Sequence, residues 1–212
     1  MYSPVVKYIH GIGINPARLS QPDARSDIRQ ELQLHKDAFL CISVGELNEN
    51  KNHQVVIKAL GQLKDPDIHY VICGKGNQLE NLKTLAKAQG VENNVHFLGY
   101  RMDVLDICSQ SDLFAFPSHR EGLPIAPLEA MYCGLPLITS KIRGLVDYMK
   151  EGKTGYLTAP DDVNSFASKI KKLKSDPQLC AEMGENCKKA VLPFLLDNSK
   201  AEVLNLINEI IK

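Results

Sequence analysis

Six short apolar runs, separated mostly by helix-period stretches of about ten residues, leave this chain few folds to choose from. The runs are FLCISV (39–44), IHYVIC (68–73), VHFL (95–98), LFAF (113–116), LPLI (135–138) and GYL (155–157). A near-continuous apolar strand suits a position buried on both faces, as in a parallel sheet covered by helices. Helix patterns fall at 55–63, 79–88 (with Gly90 as its C-cap), 104–109, 123–133, 144–149, 163–173, 177–190 and 201–211. Strand-helix alternation of this kind predicts repeated β-α-β units with right-handed crossovers. The predicted fold is α/β, a doubly wound, Rossmann-like parallel sheet. No internal repeat or low-complexity segment interrupts it.

Ahead of the first strong strand the pattern weakens. Val5–Ile9 reads as a short strand, His10–Pro16 as a Gly/Pro loop and Asp27–Leu34 as a short helix. Residues 1–37 are therefore read as a linker-like segment, 38–196 as the main domain and 197–212 as a C-terminal helix suited to an interdomain or partner contact. Lys plus Arg equals Asp plus Glu at 25 each, so no global field favours nucleic acid or an anionic membrane. The six cysteines lack zinc-type spacing, which predicts no metal site and a reducing, cytoplasmic compartment. No signal peptide and no run of roughly 20 apolar residues is present, so no transmembrane segment is expected. Peripheral association with a membrane surface stays open.

In a doubly wound sheet, ligands sit outside the carboxyl ends of the strands, near the point where the strand order reverses. That rule selects five loops. In Gly45–His53, Gly45 permits close backbone approach and Lys51 is a point charge within reach of a phosphate; the alternative is a turn with polar capping residues. Gly74-Lys75-Gly76 has Leu79 where a dinucleotide fingerprint needs its third glycine, so that motif fails, although the glycines suit close approach by a ligand. Gly99-Tyr100-Arg101 fits either a resting place for a flat base or an ordinary turn with a solvent-facing Arg101.

The densest loop lies in DLFAFPSHREGLPIAPLEAMYCGLPLITS, Asp112 to Ser140. Strand, polar turn, helix and strand follow one another, and Glu121 and Glu129 bracket the helix start eight positions apart. A helix N-terminus offers unpaired N–H groups and partial positive charge to an anion. Carboxylates accept paired hydrogen bonds from neighbouring hydroxyls, as on a sugar or ribose. The combination points to a nucleotide-sugar site; the bland alternative has Glu129 facing solvent and Glu121 merely complementing the helix dipole. His119 and Arg120 are further candidates, and no serine or cysteine has a triad context. The fifth loop is Ser140–Gly144.

The segments SVGELNENKNHQVVIKAL, VICGKG, VHFLGY, the Asp112–Ser140 stretch, SKIRG and EGKTGYL together resemble the C-terminal, donor-binding half of family 4 retaining glycosyltransferases (group 1 type), a GT-B architecture. The likeness spans about residues 38–175 and leans towards bacterial capsular or exopolysaccharide enzymes. It implies catalytic roles for Glu121, at the donor sugar near the reacting centre, and Lys51, at the diphosphate. Gly122, Leu123, Pro124 and Ile125 would form the loop whose available amides face the diphosphate, Glu129 would hold the ribose, and Gly99 and Tyr100 would flank the base. Gly45, Glu46, Gly74 and Arg120 complete the implied donor site. The family usually has arginine at the position of Glu46; Arg120 or Arg143 is then the candidate for the missing charge.

The implied reaction moves a hexosyl group from a nucleoside diphosphate sugar, with a UDP-sugar favoured, to a glycan or lipid-linked acceptor with retention. It needs no cofactor and no metal. Family members carry a preceding acceptor-binding domain, which 37 residues cannot form, so an N-terminal domain or partner subunit is expected. Two alternatives remain: a nucleotide-sugar-binding subunit or inactive half without turnover, and a nucleotide-sugar epimerase of GT-B architecture.

Overall fold

Strand β1 (Phe39–Val44) sits near the middle of the molecule because its side chains are apolar on both faces. Phe39 and Cys41 join one buried cluster, while Leu40 and Ile42 join the other. The computed structural model describes residue 9, residues 13–15 and residues 27–211. Around β1 lie β2 (Ile68–Cys73), β3 (Val95–Gly99), β4 (Leu113–Phe116), β5 (Leu137–Ser140) and β6 (Gly155–Thr158). All neighbours pair in parallel, in the order β3-β2-β1-β4-β5-β6. The chain winds one way from β1 to β3 and the other way from β4 to β6, so the reversal falls between β1 and β4. This is the doubly wound, Rossmann-like fold that the alternation predicts.

The first helical layer comprises α2 (His53–Leu63), α3 (Leu79–Gln89) and α6 (Val163–Ser175), which bury Val55, Leu82 and Phe166 in one cluster. The second comprises α1 (Ile28–Glu31), α4 (Val104–Ser109), α5 (Ile125–Tyr132) and α7 (Pro177–Val191), which bury Ile28, Ile107, Met131 and Cys187 in the other. A short 3-10 turn leads to α8 (Leu196–Ile211), on which Leu204 and Ile207 remain exposed. No helix among the described residues is long and apolar enough to cross a membrane. The six cysteines are free thiols.

Several boundaries move for identifiable reasons. The predicted strand at 135–138 lies two residues later, because the Leu135 amide still bonds back to Ala130 O at the end of α5 (3.0 Å). The predicted helix at 123–133 begins at Ile125, with Pro124 extended as its N-cap. Residues 144–149 are a succession of turns and not a helix: Gly144 has φ +88°, and the Met149–Leu145 and Tyr148–Leu145 backbone bonds close single turns only. The last helix starts at Leu196, five residues before the predicted start.

Ahead of β1, the predicted strand at Val5–Ile9 and the loop at His10–Pro16 lie largely outside the described residues. Ile14, which is described, is buried and forms a bridge to Leu195, with its amide donating to Phe194 O at 2.8 Å. Asp27 caps α1 through its side chain, and Arg29 ties α1 to Asp112 at 3.0 Å.

Candidate functional site

The reversal between β1 and β4 brings two loops together at their carboxyl ends. The first, after β1, carries Lys51; the second, after β4, carries Glu121. Lys51 Nζ donates to Glu121 Oε1 at 2.7 Å and lies 4.8 Å from the centroid of the Phe116 ring, so the ammonium rests between a carboxylate and an aromatic face. Both charged side chains are largely withdrawn from water, at 20% and 13% exposure. The lysine stem passes over Gly45, where a Cβ would meet Lys51 Cε at 3.3 Å.

Asn50 sets the spacing of these loops. Its Nδ2 donates to Arg120 O at 3.0 Å and its Oδ1 accepts from Arg120 N at 3.1 Å, while Asn50 O accepts from His119 N at 2.8 Å. His119 reaches Asp161 Oδ1 through Nε2 at 2.9 Å. From the other side Gly144 presses its backbone on the same loop: a Cβ there would fall 1.6 Å from Gly122 O. Glu121 is thus held from two directions. Asparagine in a polar turn reads as a generic turn former, so Asn50 carried no signal in sequence.

Beneath these loops a buried polar chain anchors β1 to its neighbours. Ser43 Oγ donates to Ala115 O (2.5 Å) and meets Tyr70 Oη at 2.7 Å; Tyr70 Oη meets His53 Nδ1 at 2.9 Å; His53 Nε2 faces Glu46 O at 3.3 Å. Four contacts need four hydrogens, and one serine, one tyrosine and a neutral imidazole supply three. Burial nevertheless wins over that incentive to protonate and pushes His53 down to about 4. His53 is thus a neutral strut under the Glu46 turn, a role hidden in a sequence where it opens a helix.

A cavity of about 350 Å³ opens at the ends of β1, β2 and β3; Lys51 and Glu121 do not line it, but Gly45, over which the Lys51 stem passes, does. Gly45, Glu46, Gly74 and Tyr100 line it, together with Lys75 and Arg101. Gly99 does not line it but adjoins its wall, since Gly99 O accepts from Gly74 N at 2.7 Å and the residue has φ +67°. Tyr100 is 69% exposed at the rim, offering an aromatic face. Arg101 is not solvent-facing: Glu31 and Asp103 hold its guanidinium at 2.6 Å each. The close approach at Gly74 and Gly76 is made by the chain itself, because Cβ atoms there would meet Gly45 O at 1.8 Å and Leu47 O at 2.2 Å.

At the start of α5 no side chain caps the helix, which leaves its first amides without a side-chain partner. Pro127 removes one further amide from that first turn. Gly122, Leu123 and Ile125 are exposed there and Pro124 is buried. Glu129 stands half-buried one turn further along α5 and does not line the 350 Å³ cavity. Arg120 and Arg143 are exposed, and Glu46 accepts from Asn48 Nδ2 at 2.9 Å. Just under the loops, Ser118, Ser140 and Tyr148 each bury a hydroxyl with no partner among the described residues.

The chemistry on offer is therefore an ammonium, a carboxylate and a free helix N-terminus at one strand reversal, beside a glycine-walled cavity with an aromatic rim. A family model described as "Glycosyl transferases group 1" matches residues 24–190. EpsD of Bacillus subtilis (strain 168), whose name places it among the glycosyltransferases, is 32% identical over 190 residues, covering 88% of this chain and 50% of that protein. The Escherichia coli UDP-Gal:alpha-D-GlcNAc-diphosphoundecaprenol alpha-1,3-galactosyltransferase is 29% identical, over 85% of this chain and 48% of that one. Among solved structures, Anabaena Alr3699/HepE in complex with UDP-glucose superimposes with a TM-score of 0.83 at 26% identity, covering 93% of this chain and 56% of that one. The chain spans about half the length of the curated relatives it matches.

Proposed function

This chain belongs to the group 1 glycosyl transferases, and on that premise we propose that it binds a nucleoside diphosphate sugar as the donor half of a retaining hexosyltransferase. The observation that carries the reading is the Lys51–Glu121 pair, poised at the strand reversal beside the uncapped start of α5. The diphosphate of the donor occupies the space between Lys51 and the α5 amides, drawing Lys51 away from Glu121. Glu121 is then released to accept hydrogen bonds from the sugar hydroxyls.

Negative charge builds on the diphosphate as the glycosidic bond to it breaks. A pre-placed ammonium and fixed N–H dipoles stabilise that charge without reorganising at the moment of reaction. Tyr100 and Gly99 flank the base at the cavity rim, Gly45 and Gly74 form its wall, and Glu129 holds the ribose. A UDP-sugar is the favoured donor, in keeping with the UDP-glucose bound by the Anabaena relative. The acceptor is a glycan or a lipid-linked glycan of polysaccharide biosynthesis, delivered by an acceptor-binding domain or partner, and the protein works in the cytoplasm without a metal or other cofactor.

Calorimetric titration with UDP-, GDP- and ADP-glucose tests this directly. Saturable binding of the UDP-sugar, weakened in Lys51→Ala and Glu129→Ala, is the expected result. Absence of binding to all three donors, or binding untouched by both substitutions, removes the site assignment. A second reading, a nucleotide-sugar-binding module without turnover, draws on Glu46, an acid that lines the cavity where the family resemblance implies an arginine. Donor binding with no transfer to any acceptor in the presence of an acceptor-binding half would favour it.

A further inference from the structure

Behind the turn that carries Lys51, on the α2/α3 side of the sheet, lies a second groove of about 530 Å³. It shares no lining residue with the donor cavity on the other side of that turn. Its volume lies within the range of roughly 300–1,000 Å³ typical of small-molecule sites. Its lining is unusual in composition. Among the described residues it collects six carboxamides: Asn48, Asn50, Asn52, Gln54, Gln78 and Asn81. Leu82 and Leu85 add an apolar strip, and Lys58 and Glu49 balance each other in charge. We propose that this groove is a binding subsite for a neutral oligosaccharide.

A carboxamide presents a donor and an acceptor side by side on a short, planar, uncharged group, which matches a pair of vicinal hydroxyls. An apolar strip suits the C–H face of a pyranose ring. A phosphorylated ligand would call for an excess of lysine or arginine, and a nucleobase for a stacking aromatic; the groove holds one lysine and, of rings, only His53 and His119.

The independent observation is Asn52. It is 2% exposed, its Nδ2 is committed to Pro160 O at 2.9 Å and Asp161 Oδ1 at 3.2 Å, yet its Oδ1 has no partner among the described residues. A buried amide oxygen left without a donor is costly, at roughly 1–3 kcal/mol. A ligand hydroxyl donating to Asn52 Oδ1 removes that cost. Asn52 has φ +52°, the left-handed conformation that asparagine adopts more readily than most side chains, which shapes the turn that presents it. Gln54 makes no side-chain hydrogen bond among the described residues and is exposed, so its whole amide is available.

Asn50 and His119 of this groove also brace the loop that carries Glu121, but no groove residue is among the proposed donor contacts, so the two sites are tested separately. The test is a backbone-amide NMR titration of the full ¹⁵N-labelled chain with maltohexaose, cellohexaose and chitohexaose, each with and without saturating UDP. Shifts at Gln54 and at residues 78–85, which lie away from Lys51, are expected with at least one hexasaccharide, in the presence of UDP as in its absence. The Gln54→Ala/Asn81→Ala double variant, altered at two exposed positions, should bind roughly tenfold or more weakly, as follows from losing two neutral hydrogen bonds. Shifts confined to the donor cavity, no shifts with any of the three sugars up to their solubility, or unchanged affinity in the double variant would overturn the proposal. The UDP titration in the same samples reports on the donor site by itself, at Gly45, Gly74 and Tyr100.

Discussion

Lys51 and Glu121 stand 70 residues apart in sequence, yet their side chains meet at 2.7 Å across the reversal between β1 and β4. Each neutralises the other in a largely water-excluded spot. On the function proposed above, a donor diphosphate would compete with Glu121 for the ammonium, so the pair would hold the two groups in register before substrate arrives and cost part of the binding energy when it does.

That competition gives the two partners different phenotypes. Lys51→Ala should weaken UDP-glucose binding by roughly 10- to 100-fold, the loss of one hydrogen bond to a charged group at about 1.5–3 kcal/mol. Glu121→Gln should bind UDP as tightly as the parent or more tightly, because Lys51 no longer leaves an ion pair, while the preference for UDP-glucose over UDP falls. Calorimetry with both ligands measures each effect. Equal losses for UDP and UDP-glucose in Glu121→Gln would contradict the assignment of that carboxylate to the sugar.

Gly144→Ala should destabilise the protein by at least about 2 kcal/mol, since it combines a left-handed backbone with a backbone overlap that cannot be relieved by a rotamer. The neighbour met is Gly122 O at 1.6 Å, in the loop that carries Glu121. Gly90→Ala is the control: its φ of +68° imposes the conformational cost, but nothing lies within 4 Å of the new methyl. Urea unfolding should place Gly90→Ala near about 1 kcal/mol. Donor affinity should fall only in Gly144→Ala.

Asn50→Ala removes both side-chain bonds to Arg120 and weakens the tether between the loops after β4 and β1, leaving the His119 N to Asn50 O bond and the Lys51–Glu121 pair. Hydrogen exchange at residues 118–123 should accelerate severalfold, while exchange in β1 and β2 stays as in the parent protein. Donor affinity should drop, because the loop must then be ordered on binding. Unchanged exchange at 118–123 would show that Gly144 and the ends of β4 and β5 hold the loop unaided.

Stability should fall with acidification in a window set by His53. The folded protein holds this imidazole at about 4, against 6.5 in an exposed chain, so between these values the unfolded state binds the extra proton. The stabilisation is fully present above pH 6.5 and is lost as the pH falls towards 4, by about 3 kcal/mol in all. His96, which burial also pushes down to about 4, acts in the same direction. Urea denaturation at several pH values across this window should show the slope, and His53→Gln should reduce it without abolishing it. A slope identical in the variant would remove His53 from the account.

How much of this was legible beforehand depended on whether the signal was local. β1 and β2 fall on the residues that their apolar runs predict, because a strand buried on both faces is near-continuously apolar, Ser43 and His69 being the polar exceptions. Gly90 ends α3 in the left-handed conformation expected of a C-cap. The run at 144–149 misled because Leu145, Tyr148 and Met149 are buried at helix-like spacing, although backbone turns and a left-handed Gly144 place them there. Leu135 and Pro136 likewise read as strand on apolarity, while the turn closing α5 claims Leu135.

Local sequence sets the doubly wound α/β class and the residue types standing in the loops at the strand ends, since burial and turn preferences act over a few neighbouring positions. The pairing of Lys51 with Glu121, the Asn50 tether, the neutral His53 strut and the carboxamide groove were decided only in the tertiary structure. Each depends on which strand ends become neighbours. That follows from the path of the whole chain from β3 through β1 to β4, and from the balance of burial and charge at the contact. No local stretch of sequence encodes either.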